Sequence, residues 1–341
     1  SATERVGFHR YTFPESKESR IIFDVGHRQG ESSGVTEAII RLSGKKELVG
    51  SIETYPEYLK FCDPEKRVKM YFVIRLNKEA ESFGAFSEAE VFKSQKDSKG
   101  TGNGMYLNFS TRKDEVVEMQ VGLSYTSIEN AKNNLLAEAT GKTFDKVKNT
   151  AHQKWNEKLG RIQVEGKDSI NKVKFYTGLY HALLGRGLAS DTNGQYIQHN
   201  GKIGQIALNS KGKPKYNHYN TDGIWGGFWN LGQLWALAYP DYQSEYIQSN
   251  LDFAKETGWL HDGVAAGAHS NGVQTNCFGL MIAATYNCGI RDFDVEEAYQ
   301  TAYKNETGYA NRPFGSGKYD LAYFVKEGYI PSKDTILSNG W

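Results

Sequence analysis

The chain has 341 residues, with 41 Lys and Arg against 40 Asp and Glu and a formal net charge of +1. Such a balance excludes a global field suited to nucleic acid or an anionic membrane. No apolar run approaches the roughly 18 residues a membrane span needs. The N-terminal SATERVGFHR carries no signal pattern, so any export signal is expected upstream. The length suits about two domains.

Through residue 126 apolar residues recur at every second position. Val68, Met70, Phe72, Ile74 and Leu76 alternate with Lys69, Tyr71, Val73 and Arg75, and Val117 to Tyr125 repeats the pattern. Both read as half-buried antiparallel strands. Shorter strands are predicted at 7–13, 20–25, 36–42, 48–54, 83–93 and 105–110, with turn clusters such as DSKGTGNG (97–104) between them. So many strands without intervening helices predict a sandwich or barrel.

At Ser127 the period changes from 2 to 3.6. Ser127 reads as an N-cap ahead of Ile128, Ala131, Leu135 and Leu136, and a second helix is predicted over 145–159. RIQVEG (161–166) reads as an extended connection. The clearest helical pattern is 170–188, where Val173, Tyr176, Leu179, Tyr180, Leu183 and Leu184 share one face. Further helices are predicted at 229–238, 244–257, 274–287, 295–303 and 318–327. Long Gly/Asn-rich loops fill 189–222 and 258–273, the kind of segment on which sites are built. A sandwich followed by paired helices with long loops suggests a β-domain and an α/α toroid.

Cys277 and Cys288 stand eleven residues apart on one predicted helix, roughly 16 Å along its axis, which precludes a disulfide. With Cys62 they read as buried free thiols. The eight histidines form neither HxxxH nor HExxH, so no protein-only zinc site is visible, and His181 reads as a structural histidine within an apolar face. Nucleophile-elbow and nucleotide-binding motifs are absent from the sequence.

Glycoside hydrolysis needs two carboxyl groups and aromatic rings that position the sugar. Twenty-one Tyr, 17 Phe and 6 Trp suit that chemistry, and equally an ordinary sandwich core. Trp225, Phe228, Trp229, Trp235, Tyr216, Tyr219 and Trp259 gather around the loops after the main helix, together with Asp222, His218, His261 and Asp262. The competing reading makes Trp225 and Trp235 core and Asp222 a helix cap. Within this region TDGIWGGFWNLGQLW (221–235) sets Gly226-Gly227 among tryptophans, although Gly is about 1 kcal/mol worse than Ala in a helix interior.

ATERVGFHRYTFP (2–14), IIFDVGH (21–27), VGLSYTSIENAKNNL (121–135), FDKVKNTAHQKWNEKLGRIQV (144–164), FYTGLYHALLGRGLASD (175–191), IWGGFWNLGQLWALAYPDY (224–242), TGWL (257–260), NCGIRDFDVEEAYQ (287–300) and YFVKEGYIPSKD (323–334) follow one another in a recognisable order. On these stretches the chain resembles glycoside hydrolase family 92, calcium-dependent exo-acting α-mannosidases found mainly in glycan-degrading bacteria. The resemblance implies the C-terminal part of an antiparallel β-sandwich over 1–126, a helical linker over 127–166 and the first part of an (α/α)6 barrel over 167–341. It also implies inverting hydrolysis of α-mannosidic linkages in oligosaccharide or glycoprotein glycans, assisted by calcium, by a protein secreted, periplasmic or held at the outer surface.

The same resemblance places the catalytic Glu and Asp and the calcium ligands beyond Trp341, so the chain is expected to be a central fragment that does not turn over substrate alone. Catalytic and metal residues are expected to be none within it. Trp225, Gly226, Asp222, Trp229, Tyr219 and His218 are the expected substrate-binding positions. Where the family tends to read Trp-Asp-Thr, with an Asp for sugar hydroxyls, this sequence has Trp225-Gly226-Gly227. The segment Phe278-Gly279-Leu280-Met281, with Ala283, also departs from the family pattern. Two alternatives follow: a divergent non-catalytic glycan-binding protein of the same fold, or a glycosidase with altered sugar specificity.

Overall fold

The computed structural model describes the chain apart from residues 28–32, 57–58, 60–62, 89, 185–186, 221, 228, 262, 266, 271–276, 313–320 and 332–341. Of residues 33, 222, 225, 265 and 268–270 it describes the backbone alone. Two compact units emerge: the first comprises Ser1–Tyr58, Glu65–Lys158 and Ser190–Tyr196, the second Leu59–Pro64, Leu159–Ala189 and Ile197–Trp341.

The first unit begins with β1 (Val6–Phe13), β2 (Ser16–Asp24), β3 (Ser33–Leu42), β4 (Glu47–Pro56) and β5 (Val68–Leu76). It continues with β6 (Ser82–Ser87), β7 (Glu90–Lys93), β8 (Asp97–Gly100), β9 (Asn103–Thr111) and β10 (Glu115–Ser124). They form a six-stranded sheet, β1-β10-β5-β4-β3-β8, and a four-stranded sheet, β2-β9-β6-β7. Between the sheets lies a core of Ile21, Phe23, Ile40, Leu48, Phe72, Ile74, Met105, Leu107, Phe109 and Val117, among others. The alternating positions of β5, β9 and β10 thus point inward, as period 2 demands.

Three departures from the sequence reading have local causes. The predicted strand 83–93 is a hairpin, because β6 and β7 turn on Ser87↔Glu90. Part of the DSKGTGNG cluster is a strand, β8, whose Ala38↔Gly100 to Arg41↔Asp97 pairing with β3 is supplied by tertiary structure and not by local propensity. Val73, on the outward face of β5, is nonetheless buried. It packs with Val6, Phe8 and Val49 against Ala131 and Leu135 of α1 (Ile128–Ala139) and Val147 of α2 (Phe144–Leu159). Gly122 permits this approach: a Cβ there would lie 2.4 Å from the Ala131 carbonyl oxygen. Ser127 caps α1 as expected, its hydroxyl accepting from the Asn130 N–H.

A buried polar cluster ties the loop 190–196 to this unit. The Asp191 carboxylate accepts from Ser124 Oγ at 2.9 Å, Thr126 Oγ1 at 2.5 Å and Asn134 Nδ2 at 2.7 Å. Asn134 Oδ1 in turn accepts from Thr192 N and Oγ1, both at 2.9 Å. Buried acceptors and donors are thereby paired, as their desolvation requires.

The second unit contains α3 (Ser169–Ala182); β11 (Gln195–Ile197) begins in the first unit and ends on the residue at which the second resumes. The second continues with the short strands β12 (Ile203–Gln205) and β13 (Asp222–Gly223), then α4 (Ile224–Gly227), α5 (Leu231–Ala238) and α6 (Pro240–Thr257). β14 (Gly263–Ala265), β15 (Ala268–Ser270), α7 (Phe278–Asn287), α8 (Val295–Thr307) and α9 (Leu321–Glu327) complete it. Its core gathers Leu179, Ile224, Trp235, Tyr239, Tyr246, Leu251, Phe278, Met281 and Ile282. α3 is shorter than its apolar pattern: it is capped at Leu183, and Leu179 is its one buried residue. Val173 is 65% exposed and His181 is exposed beside Tyr180, so the expected apolar face of 170–188 is mostly solvent-facing among the described residues.

Cys277 and Cys288 flank α7 as free thiols, the first buried and the second exposed, while Cys62 lies outside the described residues. Gly279 leaves just enough room for Glu306, whose Oε1 would sit 3.2 Å from an added Cβ, so the unusual 278–283 segment is read here as core packing around Phe278 and Met281. No helix among the described residues is long and apolar enough to cross a membrane.

Candidate functional site

The sequence PDYQSEYIQSNLDFAKET forms the longest helix of the second unit, α6. Pro240 sits in its first turn, where no amide donor is needed, and Gly258 at φ 85° closes it in the left-handed conformation. Its buried face carries Tyr246, Ile247, Leu251, Phe253 and Ala254, but also Gln243, Ser244, Ser249 and Asn250. Polar side chains on a buried helix face cost free energy unless bonded, so their partners define what the helix holds.

Gln243 is paired with Thr285 and Asn250 with the Tyr246 carbonyl and His261, whereas Ser249, together with the half-buried Glu245 and Asp252, bonds the irregular strip 216–220. The Asn217 N–H donates to Glu245 Oε1 at 2.6 Å, and Asn217 Nδ2 donates to the same oxygen at 3.0 Å. The Tyr219 hydroxyl donates to Glu245 Oε2 at 2.7 Å, and the Tyr219 N–H to Ser249 Oγ at 2.9 Å. Ser249 Oγ also lies 3.1 Å from His218 Nδ1, and the Tyr216 hydroxyl donates to Asp252 at 2.7 Å. Glu245, Ser249 and Asp252 are spaced i, i+4, i+7 and therefore share one face of α6. On its other side the strip is held by Ala189 N–H to His218 O at 2.8 Å and Asn220 N–H to Gly187 O at 3.0 Å.

Electrostatics follow from that burial. His218 is buried, and desolvation pushes its pKa down to about 3, so the ring is neutral near pH 7. Tyr219 is shifted the other way, first by burial and then by the charge of Glu245, and stays a protonated donor. Burial likewise raises the Asp252 carboxyl, against the lowering effect of its bonds to Tyr216 and Gln248. Glu245, Ser249, Asp252 and His218 all spend hydrogen-bonding capacity on neighbouring chain. That arrangement suits holding a loop in place better than transferring a proton.

The strip runs into β13, where Asp222 pairs with Val264 and Gly223 with Gly263, and then into the single turn α4. The side chains of Asp222 and Trp225 lie outside the described residues, as do Phe228 and Asp262. Gly226 is exposed, its φ lies outside the left-handed region, and a Cβ built on it meets nothing within 4 Å. Its backbone conformation does not require glycine, and among the described residues nothing approaches it closely. Trp229, three residues on, is 71% exposed.

Of the other expected aromatics, Trp235 is fully buried, its ring 5.0 Å from Tyr242 and 5.6 Å from Tyr246, with Nε1 donating to the Ala182 carbonyl. Trp259 is buried between Lys304 and Arg312, whose charges lie 4.6 and 4.9 Å from its ring centroid. His261 is buried against Phe253, with Nε2 2.5 Å from Asn250 Oδ1. Thus the structure sets His218 and Tyr219 side by side against α6 and leaves Gly226 and Trp229 facing solvent. The sequence reading passed over Glu245, Ser249, Asp252 and Asn217. Their signal was the polar spacing on an otherwise apolar helix face.

The architecture is a β-sandwich followed along the chain by helices of the (α/α)6 type, with a loop-borne aromatic cluster against one helix. The chain belongs to glycosyl hydrolase family 92: the N-terminal domain model of that family matches residues 1–124 and its catalytic domain model residues 130–340. A family GH92 α-mannosidase from Bacteroides thetaiotaomicron is similar with a TM-score of 0.83 and 19% identity, over 97% of this chain and 42% of that one. A family GH92 inverting mannosidase from B. thetaiotaomicron VPI-5482 is similar at 0.79 and 20%, over 97% and 43%. An uncharacterised secreted glycosidase of Arthroderma benhamiae is 25% identical over 241 residues, 68% of this chain and 26% of its own length. The chain therefore spans less than half the length of these relatives.

Proposed function

We propose that this chain is the glycan-binding portion of a secreted glycoside hydrolase of the α-mannosidase type, acting with inversion and with calcium on α-mannosidic linkages. The observation that carries the reading is the ordered match to both family 92 domains, in a structure that leaves Trp229 exposed beside the turn bearing Gly226. A largely exposed tryptophan suits contact with a sugar ring, and Asp222 and Trp225 stand on the same segment. His218 and Tyr219 lie just before that segment in the chain and are bonded to α6. Among the described residues no three of His, Cys, Asp and Glu come together to hold a metal, and the proposal routes no step through calcium.

With calcium and α-linked manno-oligosaccharides the chain alone is expected to release no mannose, while methyl α-mannoside perturbs its tryptophan fluorescence. Robust mannose release would overturn the assignment of acid and base outside the chain. The exposed, uncrowded Gly226 favours a second reading, a divergent glycan binder or a glycosidase of altered specificity, because no side chain there grips a hydroxyl. Gly226→Asp in the full-length protein separates them: a gain in mannoside turnover favours the enzyme. A monosaccharide panel with a better ligand than mannose favours altered specificity.

A further inference from the structure

We infer that Glu245 is a positioning residue, whose carboxylate sets the path of 216–220 and hence the place at which β13, α4 and Trp229 meet a sugar; the inference rests on the glycan-binding reading above. The strip lacks the regular partners of a sheet, and buried backbone N–H groups must be paired. Two of its amides, those of Asn217 and Tyr219, find acceptors on side chains of α6, at Glu245 and Ser249. The Tyr216 hydroxyl at Asp252 and the His218 ring at Ser249 add side-chain bonds to the same helix, so four consecutive residues, 216–219, are held against α6.

Within that grip Glu245 carries the most. Both carboxylate oxygens are used, one by Asn217 N and Nδ2 and the other by the Tyr219 hydroxyl. Charged acceptors make the stronger hydrogen bonds, so the backbone and a side chain at 217 and the phenol at 219 are fastened by one group. Three residues beyond Tyr219 the chain is already in β13, paired with Val264. A carboxylate on a helix thereby determines the pose of a segment it does not itself belong to.

The test compares the chain with Glu245→Ala, Glu245→Gln and Tyr219→Phe, using methyl α-mannoside as probe, with circular dichroism and amide hydrogen exchange in parallel. Glu245→Ala is expected to weaken binding about tenfold or more and to speed exchange at Asn217, with the helical signal kept. Glu245→Gln retains an acceptor for Asn217 and is expected to restore most of the affinity, and Tyr219→Phe to fall between. Binding by Glu245→Ala equal to wild type overturns the inference, as does a loss no larger than its unfolded fraction explains. If the wild-type chain binds no mannoside, the glycan reading of the site fails and this inference with it; equal binding by wild type and variant sinks this inference alone.

Discussion

The loop at 190–196 and the strip at 216–220 solve one problem in opposite ways. Each is irregular chain packed against a regular element, and each leaves buried polar groups that no sheet or helix ladder can satisfy. In the first unit a loop carboxylate, Asp191, is the acceptor, and the strand end and α1 supply donors through Ser124, Thr126 and Asn134. In the second unit the helix supplies the acceptors, Glu245, Ser249 and Asp252, and the irregular strip donates. The Asp191 cluster is enclosed, so its loss is a matter of stability. The α6 row holds the chain that leads toward Gly226 and Trp229, so its loss is expected to change where that exposed surface lies.

The comparison breaks most directly at Asp191. Asp191→Ala strands three buried donors and should cost about 3–5 kcal/mol in urea-induced unfolding, with the sandwich destabilised first. A cost near that of an exposed substitution, within about 0.5 kcal/mol, would mean that water replaces the carboxylate and that the cluster is not closed.

His218 provides a smaller and pH-dependent effect. Its folded pKa of about 3 lies below the ordinary 6.5, so the unfolded chain takes up the proton first as pH falls. The stability it confers is complete above about pH 6.5 and is lost progressively toward pH 3. Between about pH 7 and 4.5 this amounts to about 2–3 kcal/mol. Unfolding of the wild type and of His218→Gln at the two pH values should differ in slope by that amount; parallel slopes would show that the ring is hydrated.

Gly226→Ala should have the smallest effect and the opposite sign. A Cβ finds open space in a helical turn, so the variant should gain up to about 1 kcal/mol and raise Tm by a few degrees. A drop in Tm would show that chain outside the described residues presses on this turn.

Much of the first unit is legible in the sequence because both partners of its core alternate with period 2. Phe72, Ile74, Met105 and Leu107 could be assigned inward from spacing alone. Val73 could not, since only the placement of α1 buries the second face of β5. In the second unit the helices themselves were readable, but their faces were not. Val173 and Leu237 belong to apolar patterns yet are 65% and 82% exposed, while Ser249 and Gln243 are buried.

The reason is physical. Residue spacing states which side chains share a face, and hydropathy states what that face would prefer to meet. The sequence by itself determined the sandwich, the change of period at Ser127, the Ser127 cap, the inability of Cys277 and Cys288 to pair, and the ordered motifs of family 92. Only the tertiary structure decided that Trp235 and Trp259 are packing, that Trp229 is exposed, that Gly226 has room for a side chain, and that carboxylates on α6 hold the strip leading to it. Hydrogen bonds between residues some 30 positions apart leave no periodic trace, because each depends on where the fold brings a donor to an acceptor.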